Sequence, residues 1–94
     1  MILWIGYEAA STDGDASEAV HSAIREAAGA RNCHRAMPNV WLVDSEDSPS
    51  AWVDTVESAL KRGDRIIVTK LQRGAAAMNI TAATDWLKVH RESF

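Results

Sequence analysis

The pattern of hydrophobic and polar positions predicts four β-strands. Residues 2–7 and 40–43 are apolar at odd and even positions alike, as in strands that are covered on both faces of a sheet. Residues 64–71 are rich in β-branched side chains, whereas residues 31–37 are short, polar and only loosely alternating. We therefore expect the first and third strands at the centre of the sheet and the second strand at an edge.

The same pattern predicts three helices. Apolar residues recur at helical spacing over residues 15–28, and Gly29 follows at a position where helices commonly end. A second helix is predicted from Ser48, a good N-cap ahead of a proline, up to Gly63. A third helix is predicted over about residues 81–91, where apolar side chains again follow a helical spacing.

The order of these elements predicts the fold class. Strand, helix, strand, strand, helix and strand form the split pattern of a ferredoxin-like α+β sandwich, with a four-stranded antiparallel sheet and an additional C-terminal helix. A chain of 94 residues makes one domain, so residues 1–94 form a single unit. Two helices cover only one face of such a sheet. Trp4 and the matching residues of the third strand need cover from the closing helix or a second subunit, and we predict a homodimer.

Composition narrows the classes of protein that fit. A net charge of −3 disfavours a dominant nucleic-acid role, because phosphate binding rests on clustered Lys and Arg. The single cysteine excludes an internal disulfide and fits a reducing compartment. The sequence contains neither an apolar run of membrane-spanning length nor a recognisable secretory signal, so we expect a cytoplasmic protein with no membrane partner. We expect no cofactor.

The run CHRAMPNVWLVDSEDSPSAWVDTVESALKRGDRIIVTKLQRG, followed by TDWLKVH, resembles the SinR-like small bacterial proteins. These are related to the CRISPR-associated Cas-two group and to VapD-type toxins. The resemblance extends over about residues 1–90 and rests on the order and spacing of the VWLV strand, the capped helix, the GDRIIV strand and the late WLK. It implies a ferredoxin-like fold that dimerises through its sheets, but no settled activity.

Relatives in the Cas-two group end the first strand with Tyr-Asp, and this aspartate is implicated in metal-dependent nuclease activity in some members. The matching residues here are Tyr7 and Glu8. The resemblance therefore implies Glu8 as the candidate catalytic residue and metal ligand, one from each subunit. Mg²⁺ or Mn²⁺, which prefer oxygen ligands, would then activate water for hydrolysis of RNA or DNA.

The alternative interpretation of Glu8, which we favour, is an exposed acid at a strand end, paired with a neighbouring base. The predicted fold brings six charged residues to that end of the sheet: Asp13, Asp15, Lys61, Arg62, Asp64 and Arg65. Other relatives in the group act as structural dimers. We therefore predict a structural or protein-interaction module, with a metal-dependent nuclease as the alternative.

Three further groups of polar residues have structural explanations. The acids of residues 44–48 suit the positive end of the following helix, and they lack the glycine and distal glutamate of a calcium loop. His21 falls on the polar face of the first helix, where we expect it in solvent. Cys33 and His34 are adjacent in a strand and point to opposite faces, which disfavours a nucleophile–base pair or a zinc site.

The arginines offer one more candidate site. Arg31, Arg35 and Arg73 are candidate nucleic-acid contacts, because two copies in a dimer would build a basic stripe along a phosphate backbone. The simpler explanation is that these arginines are dispersed surface charges that keep the protein in solution. A nucleic-acid partner is an alternative that we do not favour.

Overall fold

The computed structural model describes residues 1–10, 15–72 and 81–94, without the side chains of residues 15–17 and 81. This part of the chain forms a four-stranded antiparallel sheet with three α-helices. In chain order the elements are β1 (Ile2–Glu8), α1 (Asp15–Ala28), β2 (Cys33–Met37), β3 (Val40–Asp44), α2 (Pro49–Glu57), β4 (Arg65–Lys70) and α3 (Thr81–Val89). Short 3₁₀ turns occupy Ala30–Asn32 and Arg91–Ser93. No helix within the described residues is long and apolar enough to cross a membrane.

The sheet has the strand order β2-β3-β1-β4, and each neighbouring pair is antiparallel. The two strands that are apolar at both odd and even positions, β1 and β3, are therefore the central pair. The polar strand β2 lies at one edge, and β4 lies at the other. The register brings Glu8, the last residue of β1, directly opposite Arg65, the first residue of β4.

The first sheet face is covered by α1 and α2. Odd-numbered residues of β1 and β3 point to this face, since side chains alternate along a strand. They join apolar side chains from the two helices and from β2 in one core. Its buried members are Leu3, Ile5, Tyr7, Val20, Ile24, Cys33, Trp41, Val43, Trp52 and Val56. Burial of this cluster away from water supplies the main driving force for docking the helices onto the sheet.

The predicted bounds of the helices hold for α1 but not for α2. Helix α1 spans Asp15–Ala28, and Gly29 follows with a φ of +83°, a conformation that favours glycine. Helix α2 begins as predicted, with the Ser48 hydroxyl accepting a hydrogen bond from the Ala51 N–H. It ends at Glu57 and does not continue to Gly63, because the chain after Glu57 tightens into turns with shorter-range hydrogen bonds.

The second sheet face is only half covered by the described helices. Helix α3 packs against β2 on the covered half, where Trp86 stacks against His34 with 6.4 Å between ring centroids. Ile2 and Leu42, which share this half, are fully or almost fully buried. On the other half Trp4 is half-buried, and 65% of the Ile67 side chain is exposed. None of the described helices covers that half.

Gly6 makes room for the six-membered ring of Trp4 on this open half. Both residues point to the second face because they are two apart in β1. A Cβ atom on residue 6 would overlap three ring atoms of the Trp4 indole, well inside van der Waals contact. The glycine is therefore required for the close approach of the indole to the sheet.

Candidate functional site

The structure places Glu8, the candidate catalytic residue and metal ligand, at an exposed strand end. Its carboxylate lies 3.4 Å from the guanidinium of Arg65, the cross-strand neighbour, and 68% and 82% of the two side chains are exposed. Exposed ion pairs of this kind stabilise a fold by only about 0–1 kcal/mol. The geometry matches the interpretation of Glu8 as a strand-end acid paired with a base.

Glu8 and Arg65 form part of the rim of an open groove on the uncovered half of the second sheet face, which we call the sheet groove. It encloses about 290 Å³. Its lining residues are Trp4, Gly6, Tyr7, Glu8, Asn39, Val40, Arg65, Ile66 and Ile67. The floor is apolar and the rim carries one anion, one cation and one amide. This combination suits contact with another apolar surface better than it suits chemistry on a polar substrate.

Asp64, predicted as a neighbour of Glu8, has a structural role. One carboxylate oxygen accepts the backbone N–H of Ala10 at 2.8 Å, and the other accepts the backbone N–H of Lys61 at 2.9 Å. These two hydrogen bonds hold the pKa of Asp64 below its usual value. Asp64 thereby ties the end of β1 to the turn before β4. Asp13 and the Asp15 side chain lie outside the described residues.

Within the described residues, no group of three or more His, Cys, Asp and Glu side chains lies close enough together to hold a metal ion. Glu8 therefore contributes a single carboxylate from one chain. Under the nuclease hypothesis, the second carboxylate would come from Glu8 of another copy.

The acids of residues 44–48 do not act as one cluster. Asp44 is part-buried on the second face, where its Oδ2 atom accepts hydrogen bonds of 2.6 Å from Nδ1 of His90 and from the hydroxyl of Ser93. Burial opposes ionisation, but the bonds from Ser93 and His90 outweigh it, and the pKa of Asp44 is lowered. Glu46 and Asp47 are exposed. Sequence reasoning missed this contact because its partners lie 46 and 49 residues away.

The prediction that His21 lies in solvent is wrong. Only 1% of the residue is exposed, and it lies between Tyr7 and Trp41 in the core. The indole N–H of Trp41 donates to Nδ1 at 2.8 Å, and Nε2 lies 3.3 Å from the Tyr7 hydroxyl. Burial, followed by the charge of Arg35, lowers the pKa of His21, so the imidazole is neutral. With both ring nitrogens engaged in the core, this histidine is structural.

Cys33 and His34 point to opposite faces of the sheet, as predicted. Cys33 belongs to the core under the two helices, and burial raises the pKa of its thiol. His34 stacks against Trp86 on the second face. The thiol is therefore held in its protonated, unreactive form, away from the imidazole.

The structure gives the candidate nucleic-acid contacts different surroundings. The Arg35 guanidinium donates two hydrogen bonds, of 2.9 and 3.1 Å, to the backbone carbonyl of Pro38. Arg31 lies in the 3₁₀ turn before β2, beside α3. Arg73 lies outside the described residues. The Arg35 guanidinium therefore stabilises the turn between β2 and β3. In the described part of the chain, the structure shows no hydrogen bond from the Arg31 guanidinium.

Comparison with known proteins gave no match: no family model, no curated protein and no solved structure matches this chain.

Proposed function

We propose that this protein is a homodimeric structural or protein-interaction module with a ferredoxin-like fold, similar to the SinR-like proteins and the Cas-two group. Two observations support the ferredoxin-like assignment. The first six regular elements follow the order β-α-β-β-α-β. In the sheet order β2-β3-β1-β4, β3 lies between β1 and β2, and β1 lies between β3 and β4, which is the split β-α-β arrangement. The two helices of that unit lie on one face of the sheet.

The sheet groove is the observation that carries the proposed role. The ring of the half-buried Trp4 lies over Gly6 there, and Ile67 projects from edge strand β4 with most of its surface exposed. Aromatic and aliphatic groups in a shallow groove with a polar rim are typical of interface centres. Because Glu8 and Arg65 supply one charge of each sign at the rim, a twofold arrangement of two copies would bring opposite charges together.

The dimer is tested by light scattering across a wide range of protein concentration. We expect the native chain at twice its 10.3 kDa mass and the Ile67→Lys variant at the monomer mass. Val89→Lys is the matched control, because Val89 is an even more exposed aliphatic residue on α3, outside the sheet groove. A native chain that stays monomeric at high concentration, or an Ile67→Lys variant that stays dimeric, contradicts the proposal.

The competing hypothesis is a metal-dependent nuclease that uses Glu8 from each subunit with Mg²⁺ or Mn²⁺. Its support is the position of Glu8 on the rim of the sheet groove, where a second copy would bring its own Glu8 nearby. The test is cleavage of RNA and DNA with Mn²⁺ by the native chain and by Glu8→Gln, with Arg65→Gln as the control. The nuclease hypothesis is rejected if the native chain is inactive or if Glu8→Gln cleaves equally well.

A further inference from the structure

A second groove lies between the 3₁₀ turn Ala30–Asn32 and helix α3, remote from the sheet groove. We call it the His90 groove. It encloses about 580 Å³, which is within the size range of small-molecule sites. Its lining residues are Arg31, Asn32, Asp85, Trp86, Val89 and His90. Trp86 and Val89 give it an apolar wall, and the other four residues supply hydrogen-bonding or charged groups.

The imidazole of His90 is held rigidly at this groove. Its Nδ1 atom donates to Oδ2 of Asp44 at 2.6 Å, and its ring stacks on Trp86 with 4.0 Å between centroids. A carboxylate bonded to one ring nitrogen fixes the orientation of the imidazole and leaves Nε2 as the atom that exchanges a proton or binds a ligand. Within the described residues no hydrogen bond to Nε2 is recorded.

Arg31 and Asn32 provide the remaining donors. A guanidinium presents a planar fork of N–H groups that matches the oxygens of carboxylates and phosphates, and a side-chain amide adds further donors. No ion pair of Arg31 is recorded among the described residues. Asp85 is the single anionic group in the lining and opposes the arginine.

We propose that the His90 groove binds a small oxyanion, a carboxylate or a phosphate monoester, between the guanidinium of Arg31 and the Nε2–H of the protonated His90 imidazole. Asp44 acts as the positioning residue, because its carboxylate holds the imidazolium in place. Charge-assisted hydrogen bonds from two cations to one oxyanion are the strong class of such contacts. The apolar wall of Trp86 and Val89 receives the remainder of the ligand.

Protonation of an imidazole adds a positive charge and an N–H donor, so oxyanion binding at such a group strengthens as the pH falls. The charged and titratable groups around the imidazole come from every element that meets there. They are the N-terminal ammonium of Met1, Arg31, His34, Asp44, Glu46, Asp85, Arg91 and Glu92.

The proposal is tested by titrating the native chain with inorganic phosphate and with acetate, and with chloride as the reference for general salt effects. Binding is followed through the ring nitrogens of His90 and the indole N–H of Trp86 by nuclear magnetic resonance, at about pH 5.5 and about pH 8. We expect saturable binding of one of the two oxyanions, at least about tenfold tighter at the lower pH, the size of change that a single cation loses or gains at such a site.

Two variants and a control measure the separate contributions of His90 and Arg31 to oxyanion binding. Asn in place of His90 keeps a donor for Asp44 but removes Nε2, so His90→Asn should bind about tenfold more weakly and lose the pH dependence. Arg31→Gln should weaken binding by a similar factor, whereas Arg62→Gln, the same charge change at an exposed arginine outside the groove, should not. Asp85→Asn should tighten binding, since it removes the opposing charge.

The proposal fails if phosphate and acetate shift the spectra no more than chloride does. It fails equally if Arg31→Gln and Arg62→Gln bind alike, or if the native affinity is the same at both pH values. The last two measurements use the intact His90, so they decide the proposal even where His90→Asn does not fold.

Discussion

The indole N–H of Trp41 donates a hydrogen bond of 2.8 Å to Nδ1 of His21, and this contact joins β3 to α1 inside the core. Because Nδ1 accepts, the neutral imidazole carries its proton on Nε2 and donates it to the hydroxyl of Tyr7. Each ring nitrogen then has a partner, and the histidine is buried without an unsatisfied polar group. The network fixes the position and orientation of α1 on the sheet, because hydrogen bonds are more directional than apolar contacts.

The contribution of this network is measured by comparing two tryptophans. Trp52 is buried like Trp41, but its indole N–H has no hydrogen-bond partner in the described part of the chain. Trp41→Phe leaves Nδ1 of His21 unpaired in the core, whereas Trp52→Phe removes a donor that is already unpaired. We expect Trp41→Phe to lower the free energy of unfolding by about 1–3 kcal/mol more than Trp52→Phe does. Urea denaturation of both variants measures this difference, and equal losses contradict it.

His21 also predicts how stability depends on pH. Its pKa is lowered in the folded chain, by burial first and then by Arg35, with Glu18 opposing the shift. Below about pH 6.5, the ordinary value for histidine, the unfolded chain binds a proton that the folded chain does not. The contribution of His21 to stability is therefore complete above that pH and is lost as the pH falls below it.

The measurement is the free energy of unfolding from pH 8 to pH 5. We expect His21→Gln, which keeps hydrogen-bonding atoms but does not titrate, to flatten the decline. The matched variant His34→Gln, on the other face of the sheet, should keep the native slope. A His21→Gln variant with the native slope would show that other groups carry the pH dependence.

The regular elements could be predicted from the sequence because each depends on local periodicity. The two-sided apolar runs of β1 and β3 identified buried strands, and the helical spacing over about residues 15–28 identified α1, Asp15–Ala28. Helix α2 was predicted too long because Ala59 and Leu60 continue its apolar spacing. In the structure they are half-buried in the turn that follows the helix. Periodicity records which side chains are buried, but not whether the backbone that carries them is still helical.

The polar contacts could not be predicted because they join residues that are distant in sequence. His21 borders the apolar stripe of α1, next to Val20 and three residues before Ile24, so periodicity alone leaves its side undecided. The available signal was Trp41, since a buried indole N–H needs an acceptor. Asp44 and His90 are joined across the second face by helix α3. Nothing in the local pattern around either residue indicates its partner.

Asp44 provides a prediction about how α3 is held. Its carboxylate accepts hydrogen bonds from His90 and Ser93 and lies 3.9 Å from the N-terminal ammonium of Met1. We expect Asp44→Asn to destabilise the chain by about 1–3 kcal/mol and to accelerate amide hydrogen exchange in α3 more than in α1. Asp47→Asn, the same substitution at an exposed acid three residues away, is the control and should change neither quantity. Uniform acceleration across both helices would contradict a local role.

The pH dependence of Asp44 has the same sign as that of His21 but a different physical origin, since hydrogen bonds to the ionised form lower one pKa and burial of the imidazole lowers the other. The pKa of Asp44 is lowered in the folded chain, because the bonds from Ser93 and His90 outweigh burial. Its contribution is complete above the ordinary aspartate value of about 3.9 and is lost as the pH falls through the lowered value. We therefore expect native and Asp44→Asn chains to converge in stability as the pH falls from the ordinary aspartate value of about 3.9 through the lowered value. Acid unfolding followed by circular dichroism measures this, and a constant gap contradicts it.

Gly6 and Trp4 give a prediction that is specific to the sheet groove. The Cβ atom of Gly6→Ala would occupy the space of the Trp4 ring, so the indole must leave the sheet. We expect Gly6→Ala to lower the free energy of unfolding by about 1–3 kcal/mol and to shift the tryptophan fluorescence, a shift that should be absent in a Trp4→Phe background. In a Trp4→Ala background the same substitution should cost little, because the clash is absent. The double-mutant cycle measures this coupling. Equal costs in the two backgrounds would mean that residue 6 needs glycine for its backbone and not for the indole.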